Sequence, residues 1–337
     1  MNRSTKIRYI IFQILAEVFK KNRNFELVFN EMINEFNFTK KEITFINNVC
    51  LNSMRKSIHC RIILNKFIKK KLKTNEFILL SCAIVQIIYL HIKPYAVINE
   101  TVNVAKKVSV YSGLINAILK NILDNIDSVK NIKVSLKDFP KWFIAELDKT
   151  KNVDYNSFFD TFHKQPSLHL VFKSEKCIDN FNEPHTKSTN KSAFLDVQKT
   201  IKDIENYKKG EWWVQDFSAM IPLAINSKIK NNEILDICAA PGGKAFQVLS
   251  KNNIVLNDIN NKRILKLKDN LSRLGFSAKI KNVNGLNFSE DKKFDIVLLD
   301  SPCSSVGTIR RHPEILFKSK EPNLKDLNIL QTNLLKK

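Results

Sequence analysis

Ile234-Leu235-Asp236-Ile237-Cys238-Ala239-Ala240-Pro241-Gly242-Gly243-Lys244 is a short apolar run that ends in a tight glycine turn and opens a helix. Ile234, Leu235 and Ile237 have the composition of a strand covered on both faces, as in a parallel sheet. Ala239, Ala240, Gly242 and Gly243 carry no bulk, so bare backbone can approach a ligand there. Lys244 to Leu249 reads as a helix start, whose unpaired amides would face whatever sits on the turn. This order of strand, turn and helix is the geometry of a doubly wound α/β domain, although a strand-to-helix connection that binds nothing would use the same residues.

The downstream pattern extends that reading. Ile254-Val255-Leu256-Asn257-Asp258 is a second apolar strand ending in an acid about 20 residues after the turn, where one carboxylate can accept from both hydroxyls of a ribose. The same Asp258 could instead cap the helix that follows, Asn260 to Leu274, and the two roles are compatible. A third strand is expected near Ala278 to Val283, just before Asn284. A fourth, Phe294 to Leu299, leads into Asp300-Ser301-Pro302-Cys303-Ser304.

Asp-Ile-Cys-Ala-Ala-Pro-Gly-Gly-Lys (236–244), Leu-Leu-Asp-Ser-Pro-Cys-Ser (298–304) and Gly-Thr-Ile-Arg-Arg-His-Pro-Glu (307–314), in that order, resemble the RsmB/Sun branch of RNA 5-methylcytosine methyltransferases. The resemblance implies that Cys238, Ala239, Ala240, Pro241, Gly242, Gly243 and Lys244 cradle S-adenosylmethionine, that Asp258 holds its ribose, and that Asn284 faces the adenine. That family usually has Asp at the position of Asn284, so loss of the charge predicts weaker cofactor binding. Asp300 is implied beside both the methionine moiety and the target base. Arg310 and Arg311 could clamp an RNA phosphate, or be a solvated pair.

The N-terminal part supports the same branch separately. Leu79-Leu80-Ser81-Cys82-Ala83, Pro94 to Val102 and Gly113 to Leu119 resemble the NusB-like helical RNA-binding domain that precedes RsmB-type enzymes. Independently of that comparison, three sets step by four and three, which places each on one helical face: Ile7, Ile11, Ile14, Val18; Ile78, Cys82, Val85, Tyr89; and Val97, Thr101, Val104, Val108. Pro94 reads as a helix start and Gly113 as a connection. The fold class expected is therefore multidomain: an all-α NusB-like domain (1–129), a linker (130–153), a small α/β RNA-binding subdomain (154–220), and an incomplete α/β Rossmann-like methyltransferase domain (221–337). Trp212 and Trp213 read as anchors of a domain junction rather than as base-stacking residues.

Composition agrees with an RNA-binding enzyme of the cytoplasm. Among 337 residues, 55 basic side chains outnumber 33 acidic ones, a net charge of +22 that attracts a polyanion. A compositional bias toward Lys and Asn would give the same count. The apolar stretch from Phe77 to Ile92 is too short to cross a bilayer and holds Ser81, Gln86 and His91. Nothing resembles a secretory signal, so no membrane partner is expected. The six cysteines show no Cys-x-x-Cys spacing, which argues against a zinc site or a disulfide framework.

Cytosine C5 is a poor nucleophile until a thiolate adds to C6, so the chemistry implied by the resemblance asks for a cysteine beside an acid. In that family the attacking cysteine belongs to a later Thr-Cys-Ser-like motif, while the Pro-Cys cysteine, here Cys303, assists product release. No cysteine follows Cys303 in the 337 residues. The expectation is that the usual nucleophile and the last strands come from a C-terminal segment or a companion chain, with the strand before Asp300 left as an edge. Attack by Cys303 itself, as in DNA cytosine methyltransferases, is the less favoured route. A different class of function, a non-catalytic RNA-binding protein with a remnant cofactor site, is the alternative.

Overall fold

The computed structural model describes residues 1–150, 154–162, 164–195, 199–225, 229–317 and 322–337. Two compact units result: Met1–Gln165 with Ser305–Pro322, and Pro166–Ser304 with Asn323–Lys337. Residues 305–317, which lie within the expected methyltransferase domain, cluster with the helical unit.

The first unit is helical. Ile7, Ile11, Ile14 and Val18 are all buried on the helix Arg3–Lys21, as their spacing requires. Pro94 begins the helix Pro94–Lys107, where its missing amide costs nothing. Gly113 lies inside the helix Ser112–Asp124 rather than in a connection. Phe77 to Ile84 belong to the buried helix Thr74–Ile84, which continues as a π-helical turn, Val85–Tyr89. The expected linker contains the helix Lys141–Asp148; its residues 151–153 lie outside the described ones. Phe139 and Phe143 from this stretch stack 5.6 Å apart and share a buried cluster with Ile58, Phe162, Ile309, Ile315 and Leu316. Aromatic burial of this kind makes the stretch part of a core and anchors 305–317 through its two isoleucines.

The second unit holds two four-stranded sheets. β1 (Leu168–Phe172), β2 (His185–Thr189), β3 (Ser192–Leu195) and β4 (Trp212–Val214) form an antiparallel sheet in the order β2-β3-β1-β4. β5 (Glu233–Asp236), β6 (Asn253–Asn257), β7 (Lys279–Lys281) and β8 (Ile296–Leu298) form a parallel sheet in the order β7-β6-β5-β8. All four parallel strands fall where the apolar runs put them, each a residue or more shorter or shifted. The β2–β3 hairpin has no counterpart in the sequence reading, because β2 is largely exposed and lacks a clean apolar alternation.

The two sheets share one core. Val171 and Trp213 are buried with Phe246, Leu256 and Leu267, and the Trp213 and Phe246 rings meet edge to face at 5.7 Å. Arg273 Nη1 donates to the carbonyls of Tyr207 and Trp212, and Lys173 Nζ donates to the Leu274 carbonyl. Trp212 and Trp213 are therefore structural anchors. On the other face of the parallel sheet, Leu334 of the helix Leu324–Lys336 is buried with Leu235, Ile237, Val255 and Phe288. β8 pairs with β5 alone among the described residues, so it is an edge strand there.

Candidate functional site

The site is assembled at the carboxyl ends of the parallel strands, where a switch in strand order opens a crevice between β5 and its two neighbours. β5 leads into the turn. Gly242 caps the helix Gly243–Leu249 with φ of 111°, a backbone conformation that favours glycine. A Cβ there would lie 2.0 Å from the Phe246 ring and 2.8 Å from Leu267. Gly243 is under no such constraint, since its nearest neighbour would be Gln215 at 3.6 Å. Of the two glycines, the first is demanded by packing and backbone together.

β6 delivers Asp258, which is buried. Its Oδ2 accepts from the Ala240 amide at 3.2 Å and its Oδ1 from the Asn260 amide at 2.8 Å. Arg263 closes the arrangement: Nη1 lies 3.6 Å from the Asp258 carboxylate, and Nη2 donates to the Ala240 carbonyl. Asp258 thus ties the glycine turn to the start of the next helix, whose own cap is Asn260. Asn257, fully buried, donates to the carbonyls of Ile237 and Val283 and accepts from the Val283 amide. That side chain holds the strand ends together and fixes the residue next to Asn284. Asn284 itself is exposed and its side chain accepts from the Leu286 amide.

β8 delivers Asp300, exposed, whose Oδ2 is 2.5 Å from Lys244 Nζ. Lys244 and Asp300, separated by 56 positions, therefore join the two motifs directly. Cys303 is exposed in the following loop, and Gln331 of the last helix donates to the Pro302 carbonyl at 2.8 Å. Cys238 is half-buried, and burial with Asp258 and Asp236 nearby pushes its thiol up to about 11. Arg310 and Arg311 belong to the helical unit with the rest of 305–317.

One member of the site carried no assigned role in the sequence reading. Asp236, the last residue of β5, is 2% exposed, and its Oδ1 has no hydrogen-bond partner. Burial, reinforced by Asp300, raises its carboxyl from 3.8 to about 7, with the Cys238 amide and Lys244 opposing and Asp258 adding. An acid closing an apolar strand was the signal available for it. Asp236, Asp258 and Asp300 gather around one turn, with Lys244 beside Asp300 and Arg263 beside Asp258. Such a set of acceptors suits a ligand that brings positive charge and hydroxyl groups to a bare backbone. Among the described residues, no group of histidine, cysteine or carboxylate side chains could hold a metal ion.

A parallel sheet of this order, with an acid-lined glycine turn after β5, defines a Rossmann-like methyltransferase domain, here alongside a helical one. Residues 223–337 match the family of 16S rRNA methyltransferase RsmB/F, and residues 5–124 match the NusB family. The chain is 28% identical to the ribosomal RNA small subunit methyltransferase B of Photorhabdus laumondii, covering 99% of this chain and 83% of that one. It is 25% identical to the protein of the same name from Proteus mirabilis, with coverages of 99% and 85%. A solved structure described as that of PH0851 superposes over the whole chain and 82% of its own length, with a TM-score of 0.72 at 19% identity, which supports the fold. The two matches together support the RsmB/Sun family of ribosomal RNA methyltransferases, with a NusB-like domain at the N-terminus. The chain's cofactor is S-adenosylmethionine, a sulfonium nucleoside whose charge and diol match the three acids around the turn.

Proposed function

We propose that the chain methylates C5 of a cytosine in small-subunit ribosomal RNA, in the cytoplasm. The observation that supports it most is the Lys244–Asp300 ion pair, which brings the glycine turn against the loop carrying Cys303. In this reading the backbone from Cys238 to Lys244 holds the cofactor. Asp258 takes the ribose diol and Asn284 faces the adenine with an amide in place of a carboxylate. The bound cofactor supplies an electrophilic methyl group on sulfur.

This chain's own residues bind and orient. Asp300 grips the N3 and exocyclic amine edge of a cytosine that has left its stack. A cysteine thiolate, which the resemblance assigns to a later motif that these 337 residues do not contain, adds to C6 and makes C5 nucleophilic; after C5 takes the methyl group from sulfur, leaving a thioether, loss of the C5 proton expels the thiolate and restores the ring. Cys303 assists that expulsion. Arg310 and Arg311 contact the RNA backbone, toward which the net charge of +22 draws the substrate.

Incubation of the chain, joined to a relative's segment carrying the later cysteine motif, with methyl-labelled S-adenosylmethionine and small-subunit ribosomal RNA tests the reading, followed by mapping of the labelled base. Label at cytosine C5 that falls at least about a hundredfold with Asp300→Asn is the expected result. Label on another base or another ring atom overturns the C5 assignment.

A further inference from the structure

Of the three acids at the carboxyl end of the parallel sheet, two have a cation of their own. Asp300 pairs with Lys244, and Asp258 lies 3.6 Å from Arg263 while its oxygens accept the Ala240 and Asn260 amides. Asp236 forms no ion pair among the described residues, and its Oδ1 has no hydrogen-bond partner there. At 2% exposure it has no bulk water as the alternative partner. A buried carboxyl with an open oxygen costs stability that an apolar side chain in its place would not.

The strand register places that oxygen beneath the glycine turn. Asp236 is the rung partner of Leu256 on β6 and of Leu298 on β8. Two residues beyond those partners come Asp258 and Asp300, so Asp236 sits one step below both, at the base of the crevice. Ile234, two residues before Asp236 and therefore on its face of the sheet, is buried with Leu256 and with Ala245 and Phe246 of the helix Gly243–Leu249. Leu235 and Ile237 point the other way, toward Leu334.

We propose that Asp236 selects the charge of the cofactor: its ionised form favours the sulfonium of S-adenosylmethionine over the neutral thioether of S-adenosylhomocysteine. The inference rests on that cofactor and is independent of which base is methylated. Charge acts across several ångströms of protein, so Asp236 determines specificity without touching sulfur. The groups that face it come from every strand end and from the turn. Burial, then Asp300 and also Asp258, favour the protonated acid, against the Cys238 amide and Lys244, which leaves the carboxyl at about 7. Arg263 is engaged by Asp258. Near pH 6 the acid of the free protein therefore holds a proton, which a cation arriving beside it drives off.

Titration calorimetry at pH 6, in buffers of different ionisation enthalpy, counts that proton. The amino group of either ligand is already protonated at this pH and adds nothing to the count. If the ionised acid favours the sulfonium about tenfold, wild type should release about 0.4 of a proton on binding S-adenosylmethionine. Binding of S-adenosylhomocysteine should release markedly less, and Asp236→Asn should release none with either ligand. Between pH 6 and pH 8 the wild-type preference for S-adenosylmethionine should rise about fivefold more than that of Asp236→Asn, whose own change measures the titration of the ligands' amino groups.

Equal proton release with the two ligands would mean that Asp236 answers to a part they share, and overturns the charge selection. Release by Asp236→Asn equal to that of wild type would assign the proton to another group and overturn the role of Asp236. Should that variant not fold, the two wild-type counts at pH 6 decide alone. Binding of neither ligand by wild type would take down the cofactor assignment and this inference with it, whereas the choice of cytosine C5 is untouched by every arm.

Discussion

The acid-lined turn of the second unit and a buried arginine of the first are opposite in sign and alike in construction. At the turn, Asp236 is buried against Asp300 and Asp258 with one oxygen unpartnered. In the helical unit, Arg55 is 4% exposed and its Nε donates to the Arg310 carbonyl, while Arg310 Nε has no hydrogen-bond partner among the described residues. A buried charge without a partner costs several kcal/mol, about as much as a small domain can spare. The difference lies in how each is relieved. A carboxyl can take up a proton and wait, whereas guanidinium stays charged. Hence the turn should be sensitive to pH and the arginine insensitive to it.

The largest effect that could break this comparison is at Asp236. Its carboxyl is raised in the folded state, so the folded protein carries no penalty below about pH 4, and the penalty grows until the pH passes about 7. A shift from 3.8 to about 7 is equivalent to about 4 kcal/mol, so wild-type stability should fall by up to that amount between those limits. Asp236→Asn should flatten the dependence, which urea unfolding at pH 5 and pH 8 would show, and should weaken S-adenosylmethionine binding. If the variant is no less pH-dependent than wild type, the acid at the end of β5 is not the responsive group.

A somewhat smaller effect is expected at Gly242. Alanine there combines a Cβ 2.0 Å from the Phe246 ring with a left-handed backbone. The cost should be about 3 kcal/mol in denaturant unfolding, with loss of cofactor binding in calorimetry. Gly243→Ala, which meets only ordinary contacts, should be close to neutral in stability and so separates cradle from packing. The smallest effect sharpens the comparison rather than breaking it. Lys244→Met removes a group that lowers the Asp236 pKa, so stability should keep falling to a higher pH than in wild type and the total loss should be larger.

The parallel strands, the glycine turn and the periodic helices were legible because each is signalled within a few neighbouring residues. Apolar runs closed by glycine gave β5, and steps of three and four gave the helix carrying Ile7 to Val18. Polar β2 hid its hairpin, and Gly113 was misplaced because a small residue near a helix start gives no directional cue. The motifs likewise singled out Asp258, Asp300 and Cys303 as candidates without showing that Asp258 ties the turn to the next helix.

By itself, then, the sequence determined the four parallel strands, the glycine turn after β5 and the family resemblance. Only the tertiary structure decided that residues 305–317 cluster with the helical unit, that Asp236 is loaded by its neighbours, and that Arg55 reaches the Arg310 carbonyl across 255 positions. The physical reason is range. Backbone preference and apolar periodicity act over a few residues, while the energy of a buried charge depends on every group the fold brings near it.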